Sequence, residues 1–314
     1  MKLKTIDNIL WFIPVRSWRN HLRKYLIHKY NLEIDNFNKK VEELYNKRKI
    51  KVVYIETINR CNSTCNFCPV SVGNEKREYK KMTEELFNKI IDDLVAMNYK
   101  DSVGLFLTNE PFLDNRIIKF AEIAKTKLPN AFIHLFSNGT VLTLDKFIEA
   151  HKYLDMIYIN NYNNDNKLHD TVQKIYDFCL ENREYSNKTV IIMRRTDEIL
   201  SSRAGNAPNK KDQLKSIPQK CFLPALQFPI RPDGKVSLCC CDTYGEITLG
   251  DLNENTIEEI WNSEKYKNII KLLKEGRDKI KICKYCDYLD EIPDSLDFIH
   301  KAEHFKNGSD ILKI

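Results

Sequence analysis

The sequence has no apolar run long enough for a membrane-spanning helix, which removes the helical membrane proteins from consideration. It also has little charge to spare. Its 50 Lys and Arg against 44 Asp and Glu leave a formal +6, dispersed along the chain and too weak for a nucleic-acid-binding protein. Near the start, Ile9, Leu10, Trp11, Phe12 and Ile13 form a short apolar stretch stopped by Pro14, too short and too interrupted for a secretory leader. Without such a leader the ten cysteines do not read as a disulfide framework. A reducing, cytoplasmic setting in which thiolates serve metal is expected instead. The 314 residues suffice for one substantial core and a smaller module.

The first 47 residues differ from the rest of the chain. After the apolar stretch come Arg16, Trp18, Arg19, Arg23 and Lys24, a basic, aromatic-bearing segment. It reads either as a helical extension packed on the main domain or as a peripheral contact of residues 1–30 with an anionic membrane surface. The pattern Trp-x-Ile-Pro-Val-x-x-Trp-Arg from Trp11 to Arg19 resembles the opening of many bacterial surface-polysaccharide enzymes, which turns the substrate expectation toward sugars.

From residue 50 short apolar runs alternate with amphipathic helices, as in parallel βα units. Strands are expected over 52–55, 103–107, 132–136, 156–159 and 190–193. Thr83 is a plausible N-cap for a helix with Leu86, Phe87, Ile90, Ile91, Leu94 and Val95 on one face. Further helices are expected from Ile117 and over 168–180. The fold class is therefore α/β: a partial, TIM-like (β/α) barrel of about five to six parallel strands, with ligands at the carboxyl ends of the strands. The expected domains are a core over 48–200, a linker over 201–220, a small β-hairpin and helix module over 221–290, and a tail over 291–314. His134, inside a strand, and Cys179, on a helix, read as core residues.

The densest chemistry lies just after the first strand, where Cys61, Cys65 and Cys68 make the spacing CxxxCxxC. Three thiolates hold a 4Fe–4S cluster on three irons and leave the fourth iron open to a small molecule. A zinc site wants four ligands and fits this trio poorly.

That motif, in that place, resembles the radical S-adenosylmethionine (SAM) enzymes. The resemblance implies that the open iron chelates the amino and carboxylate groups of SAM, and that an electron from the cluster cleaves SAM to a 5'-deoxyadenosyl radical. Phe67, before the last cysteine, is then on the cofactor side. Thr108-Asn109-Glu110-Pro111 is similar to the Gly-Gly-Glu-Pro turn that meets the SAM ammonium, with Glu110 and Pro111 matching and both glycines replaced. An acidic or carbonyl oxygen beside an ammonium makes charge-assisted hydrogen bonds. Ser137-Asn138-Gly139-Thr140 resembles the family's Thr-Asn-Gly turn, and Asn160 and Asn161 stand where relatives address the SAM ribose. Arg194 and Arg195 stand where relatives place an arginine near the SAM carboxylate, and Arg203 is a second candidate. One of these three arginines is expected to orient a substrate oxygen.

A second cysteine set comes later: Cys221, then the Pro232-Asp233-Gly234 turn, then Cys239-Cys240-Cys241, then Cys283-Lys284-Tyr285-Cys286. Segments 228–230 and 236–238 can pair as a hairpin across that turn, and a helix is expected from Ile257 to near Gly276. The order is similar to the SPASM or twitch domain of radical SAM enzymes. It implies one auxiliary 4Fe–4S cluster on Cys221, Cys239, Cys283 and Cys286, with Cys240 able to replace Cys239 because neighbours in a strand face opposite ways. A four-cysteine zinc ribbon uses the same donors. No cysteine comes after Cys286, so a second auxiliary cluster is not expected.

The implied activity is oxidation of a sugar, aminosugar or cyclitol-type small molecule, free or carbohydrate-linked, as in the family's cyclitol dehydrogenases. A flavodoxin or ferredoxin-type donor would supply electrons, and surface polysaccharide biosynthesis is one setting. Three alternatives stay open: a peptide-modifying maturase, a redox-neutral epimerase using Cys240 or Cys241, and a metal-binding scaffold. The first 47 residues are too short for the peptide-binding winged-helix module common in the maturases.

Overall fold

The computed structural model describes residues 8, 10–289, 292 and 310–312. Residues 1–7 and 9, and most of the expected tail over 291–314, lie outside the described residues.

Five parallel strands succeed one another, β1 (Val52–Ile55), β2 (Ser102–Gly104), β3 (Phe132–Ser137), β4 (Met156–Tyr162) and β5 (Thr189–Arg194). β6 (Gln227–Ile230) returns to pair in parallel with β1, so six parallel strands lie in one sheet in the order β6-β1-β2-β3-β4-β5. β7 (Lys235–Ser237) and β8 (Thr248–Asp251) extend it antiparallel beyond β6, and β9 (Asp310–Leu312) pairs antiparallel with β5. The expected hairpin is therefore present, and its first strand is also the sixth parallel strand of the core sheet. Among the described residues the sheet is open, with nine strands from edge to edge.

The local reasons are legible. The Thr83 hydroxyl accepts from the Leu86 amide at 3.1 Å and starts the helix Glu84–Ala96. That helix buries Leu86, Phe87, Ile90, Ile91 and Leu94 and stops at Asn98, which takes the left-handed conformation (φ 50°). The Phe87 and Phe120 rings stack at 4.2 Å, joining it to the helix Ile117–Lys127. Each such fully buried side chain contributes on the order of 2 kcal/mol.

Three expectations need correction. The second strand, expected to reach Leu107, ends at Gly104, where a Cβ would stand 2.8 Å from the Tyr54 ring. The single helix expected from Ile257 is two, Ile257–Asn262 and Glu264–Glu275, because the Ser263 hydroxyl accepts from the Tyr266 amide and restarts the helix. A helix at Leu144–Ala150, capped by Thr143, is additional to those expected. His134 and Cys179 are core residues, as expected.

Candidate active site

The parallel strands end on one side, and their exits line a cavity of about 300 Å3, within the range of small-molecule sites. From the exit of β1 come Cys61, Ser63, Cys65, Phe67 and Cys68; after β2, Thr108, Asn109 and Glu110; after β3, Ser137 and Asn138. Asn160, Tyr162 and Arg194 enter from β4 and β5, and Arg203 and Cys240 from later segments.

The cysteine loop is held from several sides. The Asn66 amide donates to the Thr196 carbonyl (2.8 Å), tying the loop to the exit of β5. Asn138 Nδ2 reaches Asn62 Oδ1 (2.8 Å), Ser63 Oγ (3.0 Å) and Cys61 Sγ (3.8 Å). The next residue, Gly139 (φ 77°), must be glycine, since a Cβ would stand 2.4 Å from Val172. Burial pushes the Cys61 thiol up to about 11 and the Cys65 thiol up to about 12, so metal binding there releases protons.

Glu110 is buried and occupied. Ser137 Oγ (2.8 Å) and the Phe112 amide (3.1 Å) donate to one carboxylate oxygen, and the Asn138 amide (2.6 Å) to the other. Burial nevertheless raises its pKa to about 7, against the lowering effect of these donors. Glu110 therefore locks the exits of β2 and β3 together, a role wider than the ammonium contact expected from the turn. Pro111 is buried at the start of a 3-10 turn, Pro111–Leu113, and is not a cavity wall. Thr108 Oγ1 donates to the buried Glu56 (3.0 Å), which Arg77 neutralises at 2.9 Å. Asn109 accepts from the Leu107 amide through Oδ1 (3.0 Å), while its buried Nδ2 has no hydrogen-bond partner among the described residues.

The three arginines separate. Arg195, one residue past the end of β5, is outside the cavity, half exposed and paired with Asp197 at 2.8 Å, its amide donating to Glu198 at 2.7 Å. Arg194 lines the cavity and is paired with Glu198 at 2.8 Å. Arg203 lines it with no hydrogen bond or ion pair of its side chain to the described residues, in a left-handed backbone position (φ 48°). Burial opposes its charge, but its electrostatic neighbours Cys241, Cys68 and Cys240 outweigh that and raise its pKa. Asn161 is turned away from the cavity, holding the Lys167 carbonyl and the His169 amide at 2.9 Å each.

The second cysteine set is buried beside this cavity. Cys221, Cys239, Cys283 and Cys286 are each less than a tenth exposed, and none of the ten cysteines is in a disulfide. Cys283 feels the charges of Cys239, Cys221 and Cys286, and Cys221 those of Cys239 and Cys286, whereas Cys240 lines the cavity. Cys241, also buried, has Cys239, Cys240 and Cys286 as its electrostatic neighbours, which raise its thiol well above the usual range. Arg277, which sequence reasoning passes over, is buried and clamps four carbonyls: Gln219 (2.7 Å), Lys220 (3.3 Å), Cys286 (2.9 Å) and Tyr288 (2.8 Å). Tyr54, Phe106 and Phe136, also passed over, add an aromatic wall to the cavity. Alternation along β1 and β3 is the available signal for Tyr54 and Phe136.

Comparison with known proteins accords with this geometry. The profile of the Radical SAM superfamily matches residues 55–179, and that of the SPASM iron–sulfur cluster-binding domain matches residues 221–287. A curated relative, the S-adenosyl-L-methionine-dependent 2-deoxy-scyllo-inosamine dehydrogenase of Niallia circulans, is 25% identical over 237 residues, 75% of this chain and 92% of the relative. Among solved structures, BtrN in complex with AdoMet and 2-DOIA is similar in fold with a TM-score of 0.67 at 22% identity, covering 77% of this chain and 94% of that one. Native anSMEcpe with bound AdoMet is similar at a TM-score of 0.52 and 14% identity, over 76% of this chain and 88% of that one.

Proposed function

The chain belongs to the radical SAM enzymes with a SPASM iron–sulfur domain, and from that premise we propose that it oxidises a polar small molecule of the sugar, aminosugar or cyclitol type. The observation that carries this reading is Arg203. It enters the cavity with no side-chain partner among the described residues, and its electrostatic neighbours include Cys68 of the first cysteine set and Cys240 and Cys241 of the second. A cation so placed can hold a substrate oxygen between the two cysteine sets.

The residues present fit the cofactors that the family uses. The cavity offers three thiols from one loop, the unpartnered Asn109 Nδ2 as a donor, and the buried Glu110 carboxyl near a cationic ligand. Cys61, Cys65 and Cys68 would hold the SAM-binding 4Fe–4S cluster, and Cys221, Cys239, Cys283 and Cys286 the auxiliary one. When bound, these groups would supply reductive cleavage of SAM, the hydrogen-abstracting chemistry that follows from it, and an outlet for the second electron. Within this arrangement Asn138 orients the first cysteine, and Glu110 fixes the turn that faces SAM. Tyr54, Phe106 and Phe136 limit water at the reacting carbon. Loss of one hydrogen atom, one electron and one proton turns a carbinol into a carbonyl. Electrons for SAM cleavage come from a flavodoxin or ferredoxin-type donor under this reading.

The relative from Niallia circulans, named as a dehydrogenase of a cyclitol amine, supports this substrate class. A second reading rests on Cys240, whose thiol lines the cavity and could return a hydrogen atom to the opposite face, giving inversion without net oxidation. The test is to incubate the anaerobically reconstituted, reduced enzyme with the small-molecule and macromolecular fractions of a bacterial lysate and measure 5'-deoxyadenosine. Stimulation by the small-molecule fraction supports the proposal, and stimulation by the macromolecular fraction alone turns it toward a peptide or polymer-linked substrate.

A further inference from the structure

The helix Arg16–Asn46 has two unlike halves. Its second half is docked: Ile34, Val41 and Tyr45 are buried, the Tyr45 hydroxyl donates to the Cys221 carbonyl, and Asn38 holds the Pro218 carbonyl (3.3 Å) and the Lys220 amide (2.7 Å). In its first half, from Arg16 to Glu33, no residue is buried. At 1.5 Å per residue this is about 27 Å of helix with no side chain in the core.

That stretch is exposed and apolar along one line. Trp18 (69% exposed), Tyr25 (59%) and Leu32 (47%) recur every seven residues, with Leu22 between the first two. Immediately before the helix, Trp11 and Phe12 are 79% and 78% exposed, and their rings meet edge to face at 5.7 Å. Arg19 and Lys24 flank the line at about 100–120° around the helix, Arg16 and Arg23 are farther round, and Lys29, on it, has a stem long enough to carry its charge aside. No Asp or Glu occurs from Asn8 to Leu32. The segment also lies outside both matched profiles, which begin at residues 55 and 221.

We propose that this half-helix, with Trp11 and Phe12, docks on the surface of a bilayer containing anionic lipid. Aromatic side chains with one polar edge favour the headgroup level, and flanking cations add attraction to anionic lipid. The sign of the charge selects this occupant over a second copy of the chain, because two such acid-free, cationic stretches laid together repel. Among the described residues no helix is long and apolar enough to cross a membrane, so the contact is peripheral. None of these residues lines the cavity, so the docking surface is separate from the proposed chemistry.

The test is flotation of the reconstituted full-length enzyme with vesicles of phosphatidylcholine alone or mixed with phosphatidylglycerol. Binding is expected to the mixed vesicles and to weaken as salt rises. The double variant Arg19→Glu/Lys24→Glu should bind them at least about 25-fold more weakly, at about fivefold per charge removed. Trp18→Ala/Tyr25→Ala should also weaken binding, while both variants keep SAM binding as proof of an intact fold. Equal binding to both vesicle types, or none to the mixed ones, overturns the proposal. So does a concentration-dependent dimer that Trp18→Ala/Tyr25→Ala abolishes while vesicle binding is unchanged.

Discussion

The side-chain amide of Asn138 donates to the Sγ of Cys61 across 3.8 Å, which ties the exit of the third strand to the first cysteine of the loop. A hydrogen bond to a cluster sulfur stabilises the more negative, reduced form. Asn138→Leu should therefore lower the midpoint potential of the cluster on Cys61, Cys65 and Cys68 and slow SAM cleavage by about tenfold, the worth of one hydrogen bond. Potentiometric titration followed by electron paramagnetic resonance reads this directly. An unchanged midpoint in an iron-replete variant would remove Asn138 from this role.

Glu110 should give the unliganded protein a pH signature. Its folded pKa of about 7 lies above the ordinary carboxyl value of 4.5, so the folded state binds this proton more tightly than the unfolded chain. Stability from this group is full below 4.5 and is lost as pH rises through about 7, by on the order of 3 kcal/mol. A cationic ligand reverses the preference: SAM, a sulfonium cation whose amino group offers N–H donors to this turn, should bind more tightly above about pH 7 than below it. Equilibrium binding across that range checks the sign, and Glu110→Gln should flatten the profile.

Cys240 and Cys239 are neighbours with different surroundings, one lining the cavity and the other buried with Cys221, Cys283 and Cys286. Substituting Ala at Cys221, Cys239, Cys283 or Cys286 should lose the auxiliary iron, about half of the total, while Cys240→Ala keeps it. Iron and sulfide analysis of the reconstituted variants decides this. Loss of iron in Cys240→Ala would move that thiol into the cluster and remove it as the hydrogen donor of an epimerase.

Under the proposed function Arg203 serves the substrate and not the cluster. Arg203→Gln should reduce kcat/KM for product formation on the order of 100-fold, the cost of one charge-assisted contact. Uncoupled SAM cleavage should persist. Arg195→Gln should leave both rates unchanged, since that side chain is at the surface with Asp197.

Much of this is legible in the sequence because local signals agree. β1 lies where its apolar run predicts, and the cysteine loop, the turn at Thr108 and the Asn138-Gly139 turn all reach one cavity. What escapes depends on distant segments. Arg277 gains its importance from carbonyls up to 58 positions away in the chain, and nothing local marks it. Arg194 and Arg195 are indistinguishable until β5 ends between them and only the first lines the cavity. The role of Glu110 as a clamp requires the third strand to be beside it. The share of β6 in both the hairpin and the core sheet appears only when its partner β1 is known.

The most direct test measures 5'-deoxyadenosine and product together, in deuterated solvent, with a purified substrate found by fractionation. Oxidation predicts one product, two hydrogens lighter than the substrate, for each 5'-deoxyadenosine, with no solvent deuterium fixed at carbon. A product of unchanged redox state carrying solvent deuterium would contradict the dehydrogenase reading and give the reaction to Cys240.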